Sequence, residues 1–346
     1  MTIRATLEQR LPAWLGERIG VTDVHCDDLV QHTEGFSWQT FTVSARWHDA
    51  AGRARSAGFA IRVEPTDGLL APYDIAAQYR LHEALARTDV PVPGPRWLER
   101  DPTVLGMPFY VMDRVTGRVP VQWRPDDPEI FPTPASVRRF GEQFVDVQAK
   151  IHLLDWRALD LGFLAAADDP VASAQAQLLH WVDYYESSRR AEIPVFREAI
   201  AWLRRNLPTS GRLVLCHGDY RIGNVMEAAG ELVAVFDWEL AHIGDPVEDV
   251  AYMGLPLWRG RDPRLSHFLP PDETFARYAA RTGIEIDPVA FHAWTVFGLV
   301  KAGAVHLRAA RAFEDGRTND LRLAAMGHQV QHVARHLHHA LTEGTV

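Results

Sequence analysis

Two short apolar runs, Leu213 to Cys216 and Leu232 to Phe236, each end on a cluster of polar side chains. Runs of this length, bounded by polar residues, predict buried strands. The first delivers His217, Asp219 and Asn224, and the second delivers Asp237 and Glu239. Val225 to Glu227 can pair with Leu232 to Phe236 across the turn Ala228-Ala229-Gly230, a hairpin that carries Asn224 and Asp237 to one end. Downstream, Asp245 predicts a helix N-cap, Pro246 suits the first turn, and Glu248 is placed to complete a capping box.

Elsewhere the pattern changes from strand-like to helical along the chain. Residues 4 to 20 predict an amphipathic helix with Leu7, Leu11, Trp14, Leu15 and Ile19 on one side, which Pro12 either kinks or starts. Thr40 to Trp47 and Gly58 to Val63 alternate as strands around Asp49-Ala50-Ala51-Gly52. Ile75 to Leu85 predicts a helix, Val90 to Asp101 an exposed Pro-rich connection, and Gly106 to Met112 an apolar strand running into Asp113 and Arg114. Val121 to Pro134 predicts an irregular loop. Helices follow at Ser136 to Leu154 with Ser136 as N-cap, Ala172 to Arg189, Val195 to Leu207, Pro288 to Phe313 and Leu321 to Leu341. His152, Trp181, Tyr184 and Tyr185 fall at helical spacing and read as core.

Composition narrows the function classes. A chain of 346 residues that is 47% hydrophobic is large enough for two lobes with their own cores. No segment approaches 18 uninterrupted apolar residues, so no membrane span is expected, and the first residues lack the apolar centre of a signal peptide. The only cysteines, Cys26 and Cys216, lie far apart and imply no disulfide framework, so a cytoplasmic location is the expectation. A net charge of −9 argues against nucleic acid as a partner and favours cationic or metal-bound ligands. Only Lys150 and Lys301 among the 36 basic residues are lysines. His328, His332 and His336 share i, i+4 spacing, but no cysteine or carboxylate cluster accompanies them, and a solvated histidine face is expected.

The chemistry lies in the two polar clusters. A carboxylate and an amide oxygen are hard ligands suited to Mg²⁺, and phosphoryl transfer asks of a protein mainly positioned metal ions and an oriented hydroxyl. Protein kinases carry H-R-D-x-x-x-x-N followed by D-F-G. Here His217, Asp219, Asn224 and then Asp237-Trp238-Glu239 fall at matching places. The stretch from CHGDYRIGN through FDWE to GDPVED closely resembles the H-G-D-x-x-x-x-N, D-W-E and G-D-P-x-x-D motifs of the aminoglycoside phosphotransferase family, a branch of the protein-kinase-like fold.

That resemblance, which covers Thr33 to about Val305, implies roles. Asp219 would orient the acceptor hydroxyl as base, Asn224 and Asp237 would hold Mg²⁺, His217 would be structural, and Asp249 would hold the catalytic-loop backbone. Gly35, Ser37 and Thr40 would cover the ATP phosphates, although these residues by themselves read as a hairpin turn. Arg62 stands where kinases carry the lysine of V-A-I-K, and Gln78 stands where the partner glutamate is expected, so Arg62 with Gln78 would replace that ion pair. The plain alternative for Arg62 is a solvent-facing residue on an edge strand. Backbone groups of Asp113, Arg114 and Val115 would meet the adenine as a hinge, while Asp113 reads equally as a solvated linker residue.

The expected architecture is α+β and bilobal: a small β-rich lobe with an N-terminal helix over residues 1–113, and a larger, mainly helical lobe over residues 114–346. The implied activity is ATP- and Mg²⁺-dependent transfer of the γ-phosphate to a small-molecule hydroxyl, with no nucleic-acid or membrane partner. VPVPGPRWL, MPFYVMDRVTG and CHGDYRIGN look most like the branch associated with acyl-CoA dehydrogenases, which favours a metabolic hydroxyl such as a hydroxyacyl-CoA over an antibiotic. Two other classes stay open: a nucleotide-binding pseudokinase, and a metal-dependent hydrolase built on His217, Asp219, Asp237, His242 and Asp245.

Overall fold

A computed structural model describes residues 3–32, 37–65, 69–70 and 72–343. The chain divides into two compact units, Met1–Thr88 with Val92–Thr116, and Asp89–Pro91 with Gly117–Val346. The short piece Asp89–Pro91 joins the second unit through the Pro91 carbonyl, which accepts from Val235 N at 2.8 Å.

The first unit begins with α1 (Ile3–Ile19), then β1 (His25–His32), β2 (Gln39–His48), β3 (Ala54–Val63), α2 (Ile75–Leu85), β4 (Pro95–Glu99), the short α3 (Pro102–Leu105) and β5 (Phe109–Asp113). The strands form one antiparallel sheet in the order β1-β2-β3-β5-β4. Strand alternation gives β3 two faces. Phe59, Ile61 and Val63 pack against Leu7, Leu11, Trp14 and Leu15 of α1, whereas Ala60 shares the other face with Trp38, Tyr110, Met112 and Ile75 of α2. Helix α1 runs through Pro12, which neither starts nor splits it. The segment expected as a Pro-rich connection contains β4. Its pairing with β5 survives Pro95 because β4 lies at the sheet edge, where a missing N–H costs no ladder bond.

The second unit contains α4 (Pro134–His152), α5 (Pro170–Ser188), α6 (Pro194–Asn206), β6 (Val214–Cys216), β7 (Val225–Ala228), β8 (Glu231–Val235), β9 (His242–Gly244), α7 (Pro246–Met253), α8 (Pro256–Arg259), α9 (Pro271–Thr282), α10 (Pro288–Glu314) and α11 (Leu321–Glu343). The N-cap of α4 is Thr133, not Ser136. Ser136 is its N3 partner in a reciprocal capping box, so the cap lies one turn earlier than expected. Helix α10 is long and apolar enough to cross a membrane, yet 72% of its most apolar window is buried among neighbours of this unit, as in the core helix of a globular domain.

Strands β7 and β8 form the expected hairpin, with Ala229 and Gly230 both at positive φ in the turn. Gln143 of α4 holds that turn: its Nε2 donates to Gly230 O and its Oε1 accepts from Leu232 N, both at 2.9 Å. Strand β6 pairs instead with β9. The loop between β6 and β7 thus starts on one small sheet and ends on another.

Candidate active site

The loop from His217 to Asn224 is held from below by buried charge. Asp249, one turn into α7, accepts from His217 N at 2.7 Å and from Gly218 N at 2.8 Å. Its carboxylate is also met by His152 Nε2 at 3.3 Å, and His152 Nδ1 lies 2.6 Å from the Tyr278 hydroxyl. Burial would raise the Asp249 pKa, but the His152 hydrogen bond, the nearby imidazoles and the two backbone amides hold it well below the usual carboxylate range. Gly218 has φ +82°, and a Cβ there would lie 2.3 Å from Leu240 O, so only glycine fits this turn.

His217 is wired as a structural residue. Its Nδ1 accepts from Asp219 N at 3.1 Å, which leaves Nε2–H to donate to Phe236 O at 2.7 Å. Burial lowers its pKa against the pull of Asp249, so the ring is neutral at pH 7. One side chain therefore ties the Asp219 loop to the end of β8. A second tie runs from Phe236 N to Asn224 O at 2.8 Å.

These ties bring Asp219, Asn224 and the backbone of Phe236, the residue before Asp237, into one hydrogen-bonded network. Asn224 Nδ2 donates to Asp219 O at 2.8 Å and to Asp219 Oδ2 at 2.6 Å, which leaves the amide oxygen, the hard donor, for a cation. Asp237 sits in the left-handed region at φ 57°, an uncommon conformation for a non-glycine residue and one found often at functional sites. Arg221 Nε lies 3.1 Å from Asp219 Oδ1, and its guanidinium stands over the Trp258 ring at 5.0 Å. The Tyr252 phenol lies near the same carboxylate, and burial together with Asp219 holds its pKa well above its ordinary value. Trp258 Nε1 is buried and has no hydrogen-bond partner among the described residues.

Glu248 does not complete a capping box. Asp245 caps α7 through Val247 N at 2.9 Å, but Glu248 turns into the core, where its carboxylate lies 3.1 Å from His242 Nε2 and 3.4 Å from Lys301 Nζ. Ligating atoms of His152, Cys216 and Asp249 lie within 4.8 Å of one another. Burial keeps the Cys216 thiol protonated, and all three groups are already hydrogen bonded, so this cluster reads as core. His242 and Asp245, named for a hydrolase, are committed to Glu248 and to the cap.

In the first unit, Thr40, Arg62 and Tyr110 are cross-strand neighbours in one row. Arg62 is 7% exposed on a central strand, with its guanidinium 5.4 Å from the Trp38 ring centroid. The solvent-facing edge position is therefore not what the structure shows. Arg62 lies on the α2 side of the sheet, and Gln78 is in α2. Ser37 lies just before β2, while Gly35 lies outside the described residues. At the hinge-like stretch, Asp113 N donates to Gly94 O and Arg114 N to Gly58 O, so both amides are used within the sheet. The Asp113 carboxylate accepts from Arg96 Nε at 2.8 Å, and the Arg114 side chain covers Gly58 and reaches Ser44 Oγ. Asp113 and Arg114 are thus largely committed to their own fold.

Arg221, Tyr252, Trp258 and Lys301 were not singled out as site residues from the sequence. Arg221 had a signal, a cation two residues after Asp219. The other three reach the loop only through tertiary packing.

The profile of the phosphotransferase enzyme family, APH, matches residues 36–280. Acyl-CoA dehydrogenase family member 10 of Mus musculus is 28% identical over 291 residues, 80% of this chain and 26% of that protein, so the chain spans about a quarter of its relative's length. A crystal structure of a Ralstonia eutropha protein ascribed to the aminoglycoside phosphotransferases has a TM-score of 0.74 at 24% identity, covering 96% of this chain and 97% of that one. An aminoglycoside phosphotransferase in ternary complex with AMP-PNP and hygromycin B has a TM-score of 0.57 at 17% identity, covering 94% and 98%. Likeness at these identities establishes the kinase-like fold, and the profile match over most of the chain establishes more: the chain belongs to the phosphotransferase enzyme family.

Proposed function

We propose that the protein moves the γ-phosphoryl group of ATP to a hydroxyl of a small molecule, with Asp219 as the group that orients and deprotonates that hydroxyl. The observation that carries this reading is the network in which Asn224 bonds the Asp219 carboxylate while its backbone binds the strand end bearing Asp237. A base and two hard oxygen ligands are thereby fixed by the same few bonds. When bound at Asn224 and Asp237, Mg²⁺ would neutralise charge on the phosphate oxygens. The Asp219 carboxylate is held by Arg221 and Asn224 as donors, an arrangement suited to aiming a hydroxyl. Arg221, beside Asp219, would be near the reacting hydroxyl and would stabilise negative charge that develops there. In the first unit, Arg62 supplies the phosphate-directed cation, with Thr40 beside it, and Val115 supplies the hinge amide.

The acceptor class we favour is a metabolic hydroxyl, with a hydroxyacyl-CoA first. The similarity to acyl-CoA dehydrogenase family member 10, of which this chain covers about a quarter, is what favours it. Acceptor-dependent ADP release, measured with hydroxyacyl-CoAs, free hydroxy acids and aminoglycosides, tests it. The reading expects kcat/KM for hydroxyacyl-CoA to exceed that for aminoglycosides by about tenfold or more, which corresponds to ~1.4 kcal/mol of transition-state binding. The reverse order would make the protein an antibiotic kinase. ATP binding without transfer to any acceptor would make it a pseudokinase.

A further inference from the structure

Lys301 is one of two lysines in the chain and is 1% exposed near the middle of α10. A buried ammonium must be paired, and the residues around this one point to a purpose. Its Nζ donates to Gly218 O at 2.7 Å and lies 3.4 Å from Glu248 Oε1, with the rings of Tyr252 and Trp181 at 4.8 Å and 5.2 Å. Glu248 in turn meets His242, whose backbone belongs to the strand paired with β6. Burial would lower the His242 pKa, but the Glu248 carboxylate outweighs that and holds it above its ordinary value.

The carbonyl that Lys301 holds belongs to the peptide bond joining Gly218 to Asp219. Gly218 N is taken by Asp249. Both polar backbone groups of Gly218 are thus gripped by buried side chains of opposite charge, and each charge meets the end of the peptide dipole that it attracts. The ammonium sits over the ring of Tyr252, the residue whose phenol the Asp219 carboxylate and burial hold protonated. The site offers one carbonyl, one carboxylate and two aromatic faces. That suits a compact ammonium better than the five-donor fork of arginine, in a chain that otherwise uses arginine almost throughout.

We infer that Lys301, with Glu248 as its counter-ion, is a positioning residue that fixes the Gly218–Asp219 peptide and so aims the Asp219 carboxylate at the acceptor hydroxyl. This rests on the reading of Asp219 as the hydroxyl-orienting base. Lys301 touches neither nucleotide nor acceptor in this role; it acts through the loop.

The test uses the full chain with Lys301→Met and Glu248→Gln combined, because Lys301→Met alone strands a buried carboxylate and can fail to fold. Three quantities are read: thermal midpoint, hydrogen exchange over residues 217–224, and ATP turnover with the best acceptor. The positioning role predicts a midpoint within about 4 °C of wild type and exchange in the 217–224 segment faster by about tenfold. It also predicts a kcat lower by about 10- to 100-fold, with KM for ATP unchanged. A contribution to stability alone predicts that the charge-paired double variant recovers turnover along with its fold. Wild-type kcat in the folded double variant overturns the positioning role, and wild-type exchange over 217–224 overturns the clamp itself. If the wild-type protein transfers no phosphoryl group to any acceptor, the proposed function falls, and the exchange rates alone decide the clamp.

Discussion

Under the proposed function, Arg62 stands in for the lysine that kinases carry. It lies on the α2 face of β3, it is buried, and it stands over Trp38. A guanidinium keeps its charge under such burial more firmly than an ammonium does and offers a fork to phosphate oxygens. Arg62→Ala should weaken productive ATP use by about one to two orders of magnitude, the range of a charge-assisted hydrogen bond. Arg62→Lys should do worse than Arg, because the indole stacking is lost along with the fork, and adding Gln78→Glu should restore part of the difference. Steady-state kinetics in ATP check this, and unchanged KM and kcat in all three variants would remove Arg62 from the phosphate site. Asp237 makes a separate prediction. Asp237→Asn keeps the shape of the left-handed turn but loses the anionic ligand, so half-saturation in Mg²⁺ should rise sharply. A Mg²⁺ titration that overlays wild type would exclude Asp237 as a ligand.

At the scale of elements, helices α10 and α11 carry a pH dependence that their sequence pattern does not announce. The expected solvated histidine face holds for His328, His338 and His339, but His332 and His336 are only partly exposed and bond to each other at 3.2 Å. Arg335 donates to His332 Nδ1, so His332 must donate from Nε2 to His336. Burial, then the neighbouring His332, pushes His306 and His336 down to about 4 from an ordinary value of 6.5. Between those values the unfolded chain binds these protons and the folded chain does not. Stability therefore falls as pH drops from about 6.5 to about 4, by at most ~1.4 kcal/mol per pH unit for the buried His306 and by less for the half-exposed His336. His306→Gln should flatten the slope of thermal midpoint against pH in that window, and an identical slope would contradict the assignment.

The same elements show which parts of the structure local sequence could reveal. Helix α2, the β7–β8 hairpin and the cap at Asp245 were legible because each is written in local periodicity, turn chemistry or a capping residue. Strand β4 was hidden by prolines that an edge strand tolerates. Glu248 was misread because capping and core pairing use the same residue type, and only the approach of Lys301 from α10 decides between them. Asp219, Asn224 and Asp237 could be grouped together because they are close in sequence. Tyr252, Trp258 and Lys301 reach the loop through packing, with no motif to mark them.

For the molecule as a whole, a kinase-like fold and a family of phosphotransferases still leave the chemistry to particular side chains. Under the proposed function one of them is indispensable: Asp219, held by Arg221 and Asn224 within the second unit. The most direct measurement compares wild type with Asp219→Ala for acceptor-dependent ADP release and, on the same samples, for ATP affinity. Transfer should fall by about 10² to 10⁴ in the variant while ATP binding stays near wild type, because the carboxylate serves the acceptor hydroxyl. Near-normal turnover in Asp219→Ala, with the protein folded and ATP bound, would contradict that role.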